Sequence, residues 1–229
     1  LDAYFARCAE AAAARPDDAL AAGQYAEALG HVGRTDEKRA YLEAWLAEAP
    51  EDVRLNVNYG LELLMEGRHR DAWRHYAYRA LLKNVMRPDA GLPEERRWRG
   101  EQIGDKNVVL VAEQGLGDAL QFVRYAIRLQ AYGARAYLNV QPALRPLLQG
   151  SPALGVVMDK SQSAQIHYWA NLIDLLPVLE PTRADIAWPG AYVAPPATAT
   201  PVAALAGGKG LRVGLAWRGN PKFASDFAR

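Results

Sequence analysis

Five pairs of residues in the first part of the chain recur at a single interval. Pro16 and Pro50, Tyr25 and Tyr59, Leu29 and Leu63, Gly33 and Gly67, and Arg34 and Arg68 are each 34 positions apart. Between these markers the apolar residues follow a helical period, so each interval reads as two helices and a turn. In the first unit Ala19 to Leu29 forms one helix, Gly33 allows a close turn, Asp36 to Ala47 forms a second helix, and Pro50 ends it. The second unit repeats the plan with Val53 to Met65, Gly67, and Arg70 to Leu82, with the small Ala72 where the helices must approach closely. Leu1 to Ala14 reads as the last helix of a preceding repeat, so a longer array is expected in the native protein. No such unit can bury its apolar face alone; neighbours must stack.

A period of this length with helical spacing is the tetratricopeptide signature, and such arrays form solenoids whose concave face takes extended peptide or another domain. Tyr25, Tyr41, Trp45, Tyr59, Trp73 and Tyr76 are read as inter-helix packing residues rather than a ligand groove. Cys8, the single cysteine, has no internal disulfide partner and is read as a small buried hydrophobe. The four histidines, His31, His69, His75 and His167, lack metal-ligand spacing.

From Lys83 to Asp105 the helical period lapses. Pro88, Gly91 and Pro93 break it, and Trp98 in the segment Trp98-Arg99-Gly100 is the expected buried anchor of an ordered connector. The segment after Glu101 alternates. Strands are expected at Val108 to Ala112, Ala136 to Val140 and Gly155 to Met158. Helices are expected from Asp118 to about Tyr132, capped by Gly133, from Pro142 to Leu148, and over His167 to Leu179, with 159–165 a polar loop. Repeated strand–helix–strand units imply a parallel sheet with helices on both faces. Residues 193–210 are rich in Ala, Pro, Thr and Gly and read as a linker; Leu211 to Trp217 reads as the first strand of a further domain.

The stretch from Val108 to Tyr125, VVLVAEQGLGDALQFVRY, carries the chemistry. It reads as strand, glycine turn and helix, a corner that sets backbone N–H groups and a carboxylate at a helix N-terminus on the C-terminal edge of a sheet. A dinucleotide fingerprint is excluded because its third glycine would fall on Leu120, and a P-loop because no Gly-Lys-Ser/Thr follows. Asp118 can cap the helix or act as an acid or base. Spacing leaves both roles open, and they are compatible. With a net charge of +1, nothing draws the chain toward nucleic acid or an anionic membrane, and no apolar run is long enough for a spanning helix.

The run EQGLGDALQFVRY, with Trp98-Arg99-Gly100 and Gly104-Asp105-Lys106 before it, and Asn139 to Leu144 (NVQPAL) and Val213 to Pro221 (VGLAWRGNP) after it, resembles bacterial tetratricopeptide proteins with a glycosyltransferase domain. That domain is similar to the heptosyltransferase-like glycosyltransferases of family 9, which have the GT-B fold of two Rossmann-like domains facing across a cleft. The resemblance implies an α plus α/β chain. Repeats occupy 1–82 (a partial repeat 1–16, then 17–50 and 51–84), a connector 83–100, a Rossmann-like acceptor domain 101–194, a linker 195–210, and the start of a nucleotide-sugar domain 211–229.

It also implies a metal-independent, inverting, cytoplasmic enzyme with a nucleotide sugar as donor and no other cofactor. Asp118 would be the general base, Gly115, Gly117, Gln121 and Arg124 the acceptor contacts, and Trp217, Gly219, Asn220 and Lys222 the donor contacts. Glu113 and Gln114 match the motif without a role. Half an active site is expected here, so the segment alone should not turn over. The partners implied are the nucleotide sugar, a glycan or protein acceptor, and a protein on the repeat surface. The rival reading is a non-catalytic interaction scaffold with a degenerate glycosyltransferase-like domain. Between the two lies an enzyme whose repeats select polypeptide acceptors, as in the O-linked N-acetylglucosamine transferases.

Overall fold

A computed structural model describes residues 1–82, 91–158, 165–179 and 190–194. The chain divides into two compact units, Leu1–Ala194 and Pro195–Arg229, and the described residues all belong to the first. The expected linker over 195–210, the strand Leu211 to Trp217, the loop over 159–164 and the donor contacts Trp217, Gly219, Asn220 and Lys222 lie outside the described residues.

The N-terminal part is helical: α1 (Asp2–Ala14), α2 (Ala19–His31), α3 (Thr35–Glu48), α4 (Val53–Met65) and α5 (His69–Tyr76). The 34-residue interval governs their ends as well as their lengths. Asp18 caps α2 by accepting from the N–H groups of Leu20 and Ala21, and Asp52 caps α4 by accepting from Leu55 N–H at 2.8 Å. At the other ends Gly33 and Gly67 both take φ of +76°, and Arg34 and Arg68 donate back to the carbonyls of Leu29 and Leu63 at 2.9 Å. A left-handed residue followed by that return bond closes a helix and satisfies its last carbonyls.

Between the helices, Ala22, Ala26, Leu42, Leu55, Tyr59, Leu63 and Ala72 make one buried cluster. The aromatic residues pack as expected, with Tyr25 edge-on to Tyr41 at 5.1 Å and Trp45 on Tyr41 at 6.5 Å. The helix expected to run to Leu82 instead tightens into a 3-10 turn over Ala77–Leu81. That turn swings Arg79 into the α/β part, where it is 4% exposed.

Four strands follow: β1 (Asn107–Val111), then α6 (Leu116–Val123), α7 (Tyr125–Ala131), β2 (Arg135–Asn139), α8 (Arg145–Gln149), β3 (Val156–Val157), β4 (Tyr168–Asn171) and α9 (Leu175–Leu179). All pairings are parallel and the order is β3-β2-β1-β4. The connector joins this sheet: Arg97 bridges to Trp169, and Trp98, buried as expected, donates its backbone N–H to the Trp169 carbonyl at 2.8 Å.

Three further expectations change. The helix read over His167 to Leu179 is a strand, a turn and a short helix. Tyr168 to Asn171 pair with Val108 to Val111, and a short apolar run buried on both faces cannot be told from a helix by periodicity. The helix placed from Asp118 begins at Leu116 and breaks at Arg124. Helices were expected on both faces of the sheet, and among the described residues they lie on one. Val108 and Leu110 alternate with Val109 and Val111, so the first pair meets α6, α7, α8 and α9. The second pair, with Trp169, meets Leu92, Tyr137, Met158 and Ile166. Among the described residues no helix is long and apolar enough to cross a membrane.

Candidate functional site

In the order β3-β2-β1-β4 the chain reverses its direction of winding between β1 and β4. Ligands of doubly wound sheets gather outside the C-terminal ends of the strands at that point. Two loops leave the sheet there. One runs from Ala112 through Glu113, Gln114 and Gly115 into α6, and the other from Leu172 to Asp174 into α9. The two remain in step, since Leu172 N–H still reaches the Val111 carbonyl at 2.9 Å.

The corner of the first loop is open to solvent. Gly115, Leu116 and Gly117 are exposed and Asp118 is half-buried. A Cβ built on Gly117 would meet nothing within 4 Å, and one on Gly115 only the Asp118 carboxylate at 3.3 Å. Neither glycine has a positive φ. Nothing inside the fold therefore requires glycine at either place, and the backbone stays open to close approach from outside. Asp118 accepts from Gly115 N–H at 3.1 Å, which stabilises the first turn of α6. Gly115 has no side chain to return the bond, so this is half of a capping box. The capping role of Asp118 is thus realised.

The other expected acceptor contacts follow along α6. Gln121 is exposed, while Arg124 is half-buried, lies over the Tyr125 ring at 5.3 Å, and buries an Nε with no hydrogen-bond partner. The structure therefore brings Gly115, Gly117 and Asp118 together in one turn and sets Gln121 and Arg124 further down the helix.

Directly beside the corner lies a group of residues that the sequence did not point to. Glu113, 5% exposed, accepts from Arg79 Nη2 at 2.6 Å and Nε at 3.2 Å. The same Nη2 reaches Asp174 Oδ1 at 2.6 Å, and Asp174 Oδ2 accepts from Arg97 at 2.6 Å and from Asn171 at 3.2 Å. Arg79 rests on the Tyr76 ring at 5.0 Å, and Tyr76 accepts from the Gln114 side chain at 3.1 Å. The Gln114 carbonyl accepts from Gln141, in the loop after β2, at 2.6 Å.

The two carboxyl groups respond differently. Burial raises that of Glu113, and Arg79 offsets this only in part. Burial acts on Asp174 in the same direction, but the guanidinium groups of Arg79 and Arg97 together hold it below the usual carboxylate range. Sequence separations of 34, 95 and 77 residues join Arg79 to Glu113, Arg79 to Asp174 and Arg97 to Asp174. No local spacing announces such a cluster. The one local sign was Glu113 and Gln114 opening the corner motif.

A cleft of about 500 Å³ borders this cluster, with Tyr78, Leu81, Arg97, Trp98, Asp174 and Val178 among its walls. Among the described residues no group of three or more His, Cys, Asp or Glu side chains is arranged to hold a metal ion.

Known proteins offer one distant likeness. The chain is similar to protein FlbA of Caulobacter vibrioides, 27% identical over 228 residues that cover 89% of this chain and 38% of FlbA. It therefore spans less than half the length of that relative. No family model matches the chain. No solved structure matches it either.

Proposed function

We propose that the chain is the acceptor-side half of a metal-independent, inverting glycosyltransferase of GT-B type, preceded by tetratricopeptide repeats. One observation carries the reading: an open Gly-Leu-Gly turn with an aspartate in the first turn of its helix, at the sheet edge where this strand order reverses. A carboxylate there, within hydrogen-bond reach of a sugar or serine hydroxyl, makes that hydroxyl a better nucleophile. Asp118 is the base. Gly115 and Gly117 leave room for the acceptor, and Gln121 and Arg124 are its further contacts. The donor diphosphate falls to Trp217, Gly219, Asn220 and Lys222, a set in which the lysine charge suits an anion. The repeats select a protein partner or acceptor, and the enzyme works in the cytoplasm.

In the full-length protein, Asp118→Asn is expected to lower transfer at least about 100-fold, the lower end of what a general base contributes. Folding should survive, because asparagine still accepts from Gly115 N–H. A fully active variant would sink the assignment.

A second reading is favoured by the Arg79 cluster, which ties the loop after β1 to the loop after β4. On that reading catalysis is lost and the protein is an interaction scaffold. Titration of the full-length protein with nucleoside diphosphates and nucleotide sugars, with and without chelator, separates the two. Selective binding that survives chelation favours the enzyme, and no binding favours the scaffold.

A further inference from the structure

We propose that Tyr76 and Arg79, at the end of the helical repeats, are positioning residues for the corner at residues 113–118. The catalytic consequence rests on the glycosyl-transfer reading; the geometry does not.

The corner has few ties to its own sheet. The last ladder bond before it is Ala112 N–H to the Asn139 carbonyl at 3.0 Å, after which the chain runs into exposed glycines. The side chains of the two residues between are held by the repeats. Arg79 takes the Glu113 carboxylate with two N–H groups, and Tyr76 takes the Gln114 amide. Gln141 then holds the Gln114 carbonyl from the other side.

The hold is built to be stiff. The fork of Arg79 is fixed by Asp174 at 2.6 Å and by the Tyr76 ring beneath it. Tyr76 is fixed in turn by Gly60 of α4: a Cβ on Gly60 would lie 2.6 Å from the Tyr76 backbone nitrogen, so α4 and α5 touch there. A path of direct contacts therefore runs from α4 through Tyr76 and Arg79 to Glu113, Gln114 and the first turn of α6. The repeats thereby form part of the site itself, and a partner that bends the end of the array would move the corner.

The test is hydrogen–deuterium exchange on the full-length protein, comparing the Gly115 amide, which is bonded to Asp118, with the amides of β2 as an internal reference. Tyr76→Phe keeps the ring and removes one hydrogen bond, so it should fold. It is expected to speed exchange at the Gly115 amide about fivefold, the factor that one hydrogen bond's net contribution gives, with β2 unchanged. Arg79→Lys keeps the charge and loses the fork, and should act in the same place and more strongly. In transfer assays Tyr76→Phe should lower kcat and leave KM for the donor unchanged.

If the Gly115 amide exchanges as in the wild type, or β2 accelerates by the same factor, the positioning role is wrong. The same follows if Tyr76→Phe exchanges faster yet keeps the wild-type kcat. A wild-type protein that transfers no sugar, yet shows the local exchange change on Tyr76→Phe, overturns the proposed function and upholds the positioning role.

Discussion

His75 shows how one side chain in the repeats is committed to a single protonation state. Asn56 donates its amide to the carbonyls of Pro50 and Asp52 at 2.7 and 2.8 Å, which leaves its oxygen facing His75 Nδ1 at 2.7 Å. Nδ1 must therefore donate, and Nε2 accepts from Arg74 at 3.2 Å. The ring also sits edge-on to Tyr59 at 4.8 Å. Burial first, and then the Arg74 charge, lower the imidazole's pKa from its ordinary value, with Asp71 acting weakly the other way.

The folded protein thus binds this proton less readily than the unfolded chain. The contribution of neutral His75 is complete above the unfolded value of about 6.5 and falls away as pH drops below it. Thermal melts across that range should show the wild type losing stability toward acid, and His75→Gln should flatten the slope. Equal slopes would mean that the imidazole carries none of it. The histidine was visible in the sequence, but only as a residue without metal-ligand spacing; its tautomer depends on Asn56 of the neighbouring helix α4, whose amide is held by two carbonyls.

At the scale of elements, the helical hairpins were legible because every device in them is local. The caps Asp18 and Asp52, the left-handed Gly33 and Gly67, and the apolar faces all lie within a few residues of the ends they control. Helix α4 runs over Val53 to Met65, the span its pattern predicts. Strand β4 was not legible, because Tyr168 to Asn171 become a strand only by pairing with β1, some 60 residues earlier.

Gly60 gives the sharpest prediction at this scale. Its counterpart in the first repeat is Ala26, fully buried, whereas at Gly60 the backbone of Tyr76 stands where a Cβ would go. Gly60→Ala should gain about 1 kcal/mol in helix propensity and lose roughly 1–3 kcal/mol through overpacking. The backbone atoms of Tyr76 cannot rotate aside as a side-chain end could, so a net loss is expected in urea unfolding. A variant as stable as the wild type would mean that α4 and α5 part without strain.

Across the whole unit from Leu1 to Ala194, the repeats and the sheet are joined by charge and by packing. Trp73 and Tyr76 lie against the core of the α/β part, and α5 packs on α9. Removing one partner of a buried ion pair costs about 3–5 kcal/mol, a large share of the 5–15 kcal/mol that typically holds a domain together. The two parts should therefore unfold as one. Native-state exchange of the most protected amides in α4 and β1 should report opening free energies equal to within about 1 kcal/mol. A clearly lower value for α4 would show that the repeats open by themselves.

Read alone, the sequence determined what short-range physics controls: the 34-residue helical period, the glycine-led corner with its capping aspartate, the parallel strands β1 and β2, and Trp98 as a buried anchor. Tertiary structure alone decided which neighbour made β4 a strand, which face of the sheet the described helices cover, and that Arg79 of the repeats closes on Glu113 and Asp174 beside the corner. The reason is physical. A cap or a turn is satisfied by neighbours a few positions away, whereas a buried carboxylate is satisfied by whichever cation the folded chain brings to it, and here that cation comes from another part of the molecule.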